Sequence, residues 1–453
     1  AGTTVQVNGE DKAITIKDNS YTLLDNDGNE VTSTPAYAAD GTTEIGTYSI
    51  DSATGQVTFT PTDKSYTGVV TPAKVQAESS NGIKVDTTYT PEIVPVTPTA
   101  TPAETEDIQG ATQTGKPEFK GGTVTVDGVE KTVAINEDVP ATFDDGSTTK
   151  TVDGVGTYTV AADGTVTFVP EKSFTGKAPA VTVVREDKNG TKASATYTPT
   201  VTPVTPTAED TTSTDKQGQT QTGTPTFTPG NPNVPMDDDT PATFEDGSTT
   251  KNIPGEGTYT VAPDGTVTFV PEKSFTGTGT GVTVKRVDKN GTPVTAKYTP
   301  TVTPVTPTAT PAESEAPQGV VQTGTVTFTE GDPVAPIDKD TITLLDENGQ
   351  PAASVEAKSP AGDVIGTYTV DKDTGLVTFT PTDKSYSGDV VPVKVQAADT
   401  NGTTVETTYT PKITPVVPTS EDATSTDIQG QTQTGKPTFT EGNPNVPIDE
   451  DKP

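Results

Sequence analysis

The chain contains no cysteine, no histidine and no tryptophan among its 453 residues. Without cysteine there are no disulfide bonds and no thiolate metal sites, and without histidine there is no Ser-His-Asp triad and no imidazole acid–base chemistry. No glycine-rich phosphate loop lies between a predicted strand and a helix. These absences exclude the commonest catalytic centres, so we expect no enzyme, no cofactor, no catalytic residue and no dedicated metal site.

Apolar residues are also scarce. Only 29% of the chain is hydrophobic and 5% is aromatic, so any core must be thin. No apolar run is long enough to span a bilayer, and the net charge of −34 repels nucleic acid and anionic membranes. We therefore expect neither a nucleic-acid nor a membrane partner, and a monomeric chain whose molecules repel one another.

Threonine, valine, glycine and proline are abundant, and they are arranged in repeats. The motif GTYTVAADGTVTFVPEKSFTG at 156–176 returns with small changes, and its GTY triplet starts at Gly46, Gly156, Gly257 and Gly366. Self-similarity at domain-sized spacing indicates tandem modules and not one large fold. The composition favours strands and extended connectors, and no helical periodicity is evident.

The repeats divide the chain into modules of two lengths. The predicted boundaries are 1–104, which lacks its opening segment, 105–208, 209–311 and 312–419, followed by 420–453 as the opening fragment of a fifth module. The first and fourth modules are long, and the second and third are short. The fragment has no partner strands of its own, so we expect it to form little stable structure. Because the chain starts and stops inside repeats and shows no secretory or sorting signal, we expect it to be an excerpt of a longer protein.

The repeated motif predicts a β-hairpin. Apolar and polar residues alternate on both sides of a short turn, so that Tyr158 faces Phe168, Val160 faces Val166, and Gly164 supplies the positive φ of the loop. A one-residue slip would expose every apolar side chain, so the pattern fixes the register. With a loop one residue longer, the pairs in a long module are Tyr48 with Phe59 and Ile50 with Val57.

A second hairpin, closed by an Asn-Gly turn, follows the first in each module. The predicted cross-strand pairs are Val282 with Tyr298, Val284 with Ala296, Val181 with Tyr197 and Val393 with Tyr409. Each later module begins with an opener strand, in segments such as QGATQTGKPEF at 109–119. With a strand near PATF or TLL, this makes six or seven short antiparallel strands in a module. The sequence therefore predicts an all-β fold, a tandem array of small antiparallel β-sandwich modules.

Each module ends in a proline-spaced segment, such as TPTVTPVTPTA at 198–208. Proline at every third or fourth position is excluded from a central strand, so we expect polyproline II structure or an edge strand there. Such Pro-rich connectors are stiffer than Gly/Ser linkers. At about 3.3 Å per strand residue, we predict an elongated rod on the order of 150 Å long.

Two recurrent polar turns are candidate sites. The acidic run at Asp237, Asp238 and Asp239 has counterparts in the other modules, and it suggests either a weak Ca²⁺ site or a solvated turn ahead of a strand. The Asn-Gly turns suggest either a cation loop, a glycosylation site or a plain hairpin turn, and the turn needs nothing beyond Asn-Gly. The asparagines concerned are Asn189, Asn290 and Asn401.

The EKSFTG segment is a third candidate. Its simplest interpretation is a loop pinned by burial of Phe174 or Phe275 over the edge of the core. The alternative is an isopeptide crosslink through Lys172 or Lys273, which would need a buried asparagine and an acid beside the lysine. Lysines flanked by acids and serine are typical of solvated loops, so the pinned loop is the favoured interpretation.

The motif set QGxxQTGxPxF, GTYTVxxDGTVTFVPEKSFTG, DKNGT and YTPTVTPVTPTA resembles the CshA-type fibril repeat of streptococcal cell-surface adhesins, over essentially the whole chain. The resemblance implies a Gram-positive surface protein whose many repeats form a fibril anchored to the cell wall by a C-terminal signal. It also implies that binding to host fibronectin and to other cells lies largely in a non-repetitive N-terminal region, outside this sequence.

From these features we predict a structural stalk, extracellular and cell-wall anchored, that projects an N-terminal adhesive region from the wall. The alternative is that the repeats themselves bind host matrix glycoproteins or other cells through weak multivalent contacts, which repetition would amplify. A third hypothesis is a partly disordered tether, given the low hydrophobicity.

Overall fold

The computed structural model describes residues 4–452, and the regular structure within this range consists of β-strands without a helix. It follows that no helix of these residues has the length and hydropathy needed to cross a membrane. The described residues up to Thr205, with Asn290–Thr292, form one compact unit, and Pro206–Lys289 with the residues from Pro293 onward form a second. The all-β prediction is confirmed.

The first unit holds the strands of the first two modules. Up to residue 98 they are Thr4–Val7, Glu10–Ala13, Thr22–Leu24, Glu30–Val31, Ser33–Tyr37, Glu44–Ile50, Val57–Pro61, Gly68–Val69, Ala73–Glu78, Lys84–Tyr89 and Glu92–Ile93. From residue 99 they are Thr99–Thr101, Ala103–Ile108, Gln113–Gly115, Glu118–Lys120, Gly122–Val126, Val129–Val133, Thr142–Phe143, Thr149–Val152, Gly156–Val160, Val166–Pro170, Gly176–Lys177, Val181–Glu186 and Lys192–Thr202.

The second unit holds the strands of the later modules. Those of the third module are Thr207–Glu209, Thr211–Lys216, Gln221–Gly223, Thr226–Thr228, Thr243–Phe244, Thr250–Ile253, Gly257–Val261, Val267–Pro271, Gly277–Thr278, Val282–Val287 and Pro293–Thr303. Those of the fourth are Thr308–Thr310, Ala312–Pro317, Gln322–Thr325, Thr327–Thr329, Ile337–Leu345, Pro351–Ala352, Ser354–Lys358, Val364–Asp371, Leu376–Pro381, Gly388–Asp389, Val393–Asp399 and Thr404–Thr414. Thr419–Glu421 and Thr438–Thr440 follow.

The second and third modules share one arrangement of two sheets. In the second module, the strand order across one sheet is Ala103–Ile108, Lys192–Thr202, Val181–Glu186, Thr142–Phe143, and across the other it is Gln113–Gly115, Val166–Pro170, Gly156–Val160, Thr149–Val152. Alternate side chains of both sheets point inward and are buried, as in a β-sandwich. The sandwich prediction is therefore confirmed.

Both predicted hairpins have the predicted register. In the first, Tyr158 pairs with Phe168 and Val160 pairs with Val166, and Gly164 has a φ of +87°. The remaining predicted pairs are also present, namely Tyr48 with Phe59, Ile50 with Val57, Val181 with Tyr197, Val282 with Tyr298, Val284 with Ala296 and Val393 with Tyr409. The alternation of apolar side chains was sufficient to place these strands because only one register buries all of them.

The strand that opens each complete module was not predicted in its true position. Ala103–Ile108 spans the predicted boundary at 104/105 and pairs in parallel with Lys192–Thr202, the last strand of the same sandwich. In this pairing Thr105 lies beside Pro199, which is inside a strand with neighbours on both sides. The exclusion of proline from a central strand was therefore wrong for Pro199. Its carbonyl accepts a 2.9 Å hydrogen bond from the N–H of Ala178, where Lys192–Thr202 changes partner from Val181–Glu186 to Gly176–Lys177.

Each module has its own hydrophobic core. In the second module Phe143, Tyr158, Phe168 and Tyr197 are 0–1% exposed and form one cluster with the inward valines. Separate clusters of the same kind occupy the first, third and fourth modules. A core that is closed within one module allows that module to fold by itself.

The long and short modules differ in the strand beside the GTY strand, and the long modules also have a two-residue strand, Glu30–Val31 or Pro351–Ala352, that pairs with the strand containing TLL. In the fourth module, Ser354–Lys358 pairs with Val364–Asp371, whereas the shorter Thr149–Val152 takes this place in the second. In the described part of the fragment at the end of the chain, Thr419–Glu421 pairs with Thr438–Thr440, both strands are exposed, and Asn443 forms an isolated bridge with Val446. That the fragment forms little stable structure stays a prediction.

Candidate functional site

The acidic turn of the third module lies against the turn end of the second hairpin. Lys289 Nζ contacts Asp237 Oδ1 at 2.5 Å and Asp239 Oδ2 at 2.7 Å, and the Arg286 guanidinium donates to Asp238 Oδ1 at 2.7 Å. The Lys289 ammonium, followed by the Thr240 hydroxyl, lowers the pKa of Asp237 to about 2. All three carboxylates are thus ion-paired with two cationic side chains of the same module.

The acidic turns of other modules are engaged in the same way. Glu137 accepts from Arg185 at 2.8 Å, and Asp340 accepts from Lys372 at 2.7 Å. Within residues 4–452 no cluster of three or more acidic side chains is positioned to hold a metal ion. The geometry therefore favours an ion-paired turn. Asp237, Asp238 and Asp239 are not arranged as a set of Ca²⁺ ligands.

The Asn-Gly turns are hairpin turns whose first residue is a buried aspartate. Asp187 Oδ1 accepts the N–H groups of Asn189 and Thr191, each at 2.9 Å, and Gly190 has a φ of +86°. Asp187 is 0% exposed, and its Oδ2 makes no hydrogen bond. A buried carboxylate oxygen without a partner costs free energy, so the bonds to the turn must outweigh this cost.

The asparagine side chains of two of these turns contact a second turn. Asn401 Nδ2 donates to the backbone oxygen of Gln217 at 3.1 Å, and Asn290 Nδ2 donates to that of Gln109 at 2.8 Å. An amide nitrogen held in this way is not available for a glycan. The glycosylation hypothesis is therefore disfavoured at Asn290 and Asn401, while Asn189 makes no side-chain hydrogen bond with the described residues.

The EKSFTG segment is a loop pinned by its aromatic residue, as predicted. Phe174 and Phe275 pack against the cores of the second and third modules. Lys172 and Lys273 are both exposed, and Lys273 Nζ donates to the backbone oxygen of Thr400 at 3.1 Å. An isopeptide crosslink needs a buried lysine, so exposure of both residues contradicts that hypothesis.

The most strongly perturbed titratable groups are buried tyrosines. Burial raises the pKa of Tyr48 and of Tyr158 to about 12, and both hydroxyls donate to backbone oxygens at 2.8 Å. In the third module, burial and the neighbouring Glu256 carboxylate raise the pKa of Tyr259 further. These phenols remain protonated at neutral pH and hold the two sheets together, so their arrangement is structural.

Exposed aromatic side chains are not shared by the modules. Among residues 4–452 the exposed aromatics are Tyr89, at 38%, and Phe439, at 67%. The other exposed large apolar residues are single valines and isoleucines, as is normal for a soluble surface. A repeated aromatic anchor, which multivalent binding by the repeats would use, is therefore not seen in the described residues.

Repeated sandwiches with closed cores and ion-paired turns define an all-β tandem-repeat protein. The family described as surface adhesin CshA repetitive domain matches residues 1–93, 95–201, 203–302, 304–413 and 415–453. The chain therefore belongs to this family, as the motif resemblance predicted, and it is a repeat region of an extracellular surface adhesin. The match supports interaction with host or other cells in general.

Comparison with other proteins adds a likeness of fold. No curated protein sequence matches the chain. Among solved structures, the chain is similar to the extracellular domain of protocadherin gamma B4, with 11% identity over 98% of this chain and 71% of that one and a TM-score of 0.31. It is also similar to mouse cadherin-23 EC22–24, with 15% identity over 71% of this chain and 100% of that one and a TM-score of 0.28. Values this low carry no argument about function.

Proposed function

We propose that this repeat region is the stalk of a fibrillar adhesin, which projects an N-terminal adhesive region from the cell wall to which the protein is anchored. The observation that carries the proposal is the closed core of each module, since the buried residues of each of the four hydrophobic clusters lie within a single module. Modules that fold separately and follow one another add length without needing a partner. The role is structural and not enzymatic.

The alternative, binding of host matrix glycoproteins such as fibronectin by the repeats themselves, is less well supported. It would be favoured by an aromatic or a large apolar patch common to the modules, and the exposed aromatics Tyr89 and Phe439 do not recur in this way. We propose instead that specific host contacts lie mainly in the adhesive region, and that the repeat region is monomeric.

Small-angle scattering of the 453-residue chain tests the stalk directly. A rod on the order of 150 Å long has a radius of gyration of about 45 Å, compared with about 22 Å for a single compact globule and about 78 Å for an unfolded chain of this length. We expect a value near that of the rod. A value near either of the other two would contradict the proposal, and the high value would favour the disordered tether.

A binding experiment separates the stalk from its alternative. The chain is passed over immobilised fibronectin and other matrix proteins, and the stalk predicts no saturable signal. A saturable signal that weakens when repeats are removed would instead favour multivalent binding. The predicted module boundaries at 104/105, 208/209 and 311/312 are also a proposal. Because the first two fall inside the strands Ala103–Ile108 and Thr207–Glu209, we expect limited proteolysis to cut in the connectors just before them, at 94–98, 203–206 and 304–307, and cleavage within the sandwiches would contradict the division.

A further inference from the structure

The Gln-Gly pair that opens each complete module forms a turn, and in the second and third modules its glutamine is buried. In the third module Gln217 is 4% exposed, Gly218 has a φ of +81°, and Gln217 Nε2 donates to the backbone oxygen of Lys273 at 2.9 Å. The N–H of Val305, in the connector to the fourth module, donates to Gln217 Oε1 at 3.2 Å. One glutamine thus fixes the opener turn, the EKSFTG loop and the start of the connector relative to one another.

The outer surface of this turn contacts the fourth module, which lies in the same compact unit. Asn401 Nδ2 donates to the Gln217 backbone oxygen at 3.1 Å, and the Thr403 hydroxyl lies 3.4 Å from Gln217 Nε2. Lys273 Nζ donates to the Thr400 backbone oxygen at 3.1 Å. The contact is therefore made by side chains on both sides.

Gly218 is needed at this contact for a reason beyond its backbone conformation. A Cβ built on Gly218 would lie 2.3 Å from Asn401 Oδ1, which is well inside van der Waals contact. In the equivalent turn of the fourth module, a Cβ on Gly319 would come no closer than 3.6 Å to the Lys384 side chain, although its φ of +76° is similar. The close approach thus belongs to the contact and not to the turn.

The same arrangement occurs independently in the first unit. Asn290, which belongs to that unit, donates to the Gln109 backbone oxygen at 2.8 Å, and a Cβ on Gly110 would lie 2.4 Å from Asn290 Oδ1. Gln109 Nε2 donates to Lys172 O at 2.8 Å, and Val204 N–H donates to Gln109 Oε1 at 3.1 Å. The Gln-Gly turn and its partner asparagine thus recur as a pair.

We propose that the Gln-Gly turn of each module is a docking surface for the Asn-Gly turn of the module that follows, and that this contact locks the angle between them. The fixed angle then comes from side-chain recognition, and not from the stiffness of the Pro-rich connector alone. Neighbouring domains that share only a flexible linker move relative to one another by default. The lock is a property of two neighbouring modules and holds whether or not the chain serves as a stalk.

Distance measurements within the second unit test the lock. The chain has no cysteine, so Thr260→Cys and Thr369→Cys introduce one spin label in each of the third and fourth modules, at equivalent exposed positions. The distance distribution by pulsed double electron–electron resonance is expected to be narrow. Asn401→Asp keeps a good turn residue but replaces the N–H donor by an oxygen that repels the Gln217 carbonyl, so we expect the distribution to broaden by about twofold or more.

Two matched pairs of variants give the controls. Asn348→Asp changes the same position of another Asp-x-Asn-Gly turn in the fourth module, where the asparagine side chain makes no hydrogen bond with the described residues. Gly319→Ala imposes the same backbone strain as Gly218→Ala without the clash. We expect Asn401→Asp and Gly218→Ala to broaden the distribution, and the two controls to leave it narrow. Hydrogen exchange of the core strands shows whether the modules remain folded. An unchanged distribution in Asn401→Asp, or equal broadening in the controls, would overturn the proposal.

Discussion

At the scale of single residues, the GTY glycine is fixed by a close approach of backbone. In the fourth module a Cβ on Gly366 would lie 2.5 Å from the Thr380 backbone oxygen and 2.6 Å from a ring carbon of Phe379. Gly366→Ala should therefore destabilise this module by about 2 kcal/mol or more, because the hairpin strands must separate to admit the methyl group. Hydrogen exchange of Val364–Asp371 measures the effect within the intact chain.

Gly349→Ala is the control for this substitution. Gly349 has a φ of +74°, and no atom lies within 4 Å of its ideal Cβ, so alanine there introduces backbone strain alone. We expect a loss of about 1 kcal/mol in that variant. If Gly366→Ala costs no more than Gly349→Ala, the steric explanation of the glycine at this position of the hairpin is wrong.

The buried tyrosines predict loss of stability in alkaline solution. Burial raises the pKa of Tyr48 and Tyr158 in the folded chain to about 12, whereas an exposed phenol in the unfolded chain titrates near 10. Between these values the unfolded chain binds fewer protons, so the stability present below pH 10 is lost as the pH rises toward 12. Denaturant unfolding followed at several pH values should show the midpoint falling across this window.

A substitution assigns the alkaline effect to a particular group. Tyr158→Phe removes one titrating hydroxyl and its 2.8 Å bond to Pro179 O, so the variant should be less stable at neutral pH but lose less on going to alkaline pH. Tyr37→Phe, at a half-buried tyrosine outside the core clusters, is the control. An alkaline loss in Tyr158→Phe equal to that of the unchanged chain would show that this hydroxyl does not contribute.

At the scale of single elements, the central hairpin should carry much of the stability of a module. Phe168 is fully buried beside Tyr158, with ring centroids 4.6 Å apart, while the next residue, Val169, is 51% exposed. Phe168→Ala should cost about 3–5 kcal/mol because it leaves a cavity between the sheets. Val169→Ala should cost less than about 1 kcal/mol, and comparable losses in the two variants would contradict the inward-facing register.

The elements that sequence reasoning placed correctly are those with a two-residue period and a glycine turn. Tyr158, Val160, Val166 and Phe168 allow only one register, and Gly164 marks the turn. The opener strand Ala103–Ile108 could not be placed in this way, because its sequence AETEDI has no apolar alternation and its partner lies about ninety residues away in parallel. Its position depends on long-range pairing, which local patterns do not encode.

The polar turns were recognised but only partly explained from the sequence. The Asn-Gly turns and the pinned EKSFTG loops follow from local chemistry, and the structure confirms both. The contact between Gln217 and Asn401 joins residues 184 positions apart, and both residues have an adequate local role in their own turns. The available signal for this contact was the recurrence of the Gln-Gly pair at the module openings. Its role is evident only when the neighbouring module that it contacts is also in view.

At the scale of the whole molecule, separate cores predict that the modules lose structure one at a time. Phe269 is 0% exposed and belongs to the cluster of the third module, so Phe269→Ala should abolish hydrogen-exchange protection of Gly257–Val261 and Val267–Pro271. The core strands of the fourth module, such as Val393–Asp399, should keep their protection because their cluster contains no residue of the third. A nearest-neighbour array behaves in this way, whereas one shared interior would not.

Nearest-neighbour coupling should still be visible at the joint of that variant. Unfolding of the third module removes the Gln217 carbonyl from Asn401, so exchange should rise at the amides of the Asn401 turn while the strands beside it stay protected. The measurement uses the full chain, with Val270→Ala at a half-exposed position of the same hairpin as control. Loss of protection throughout the fourth module would mean that this module does not stay folded when the third module unfolds. Unfolding of one module would then spread to its neighbour, and a stalk of independent units would be the wrong description.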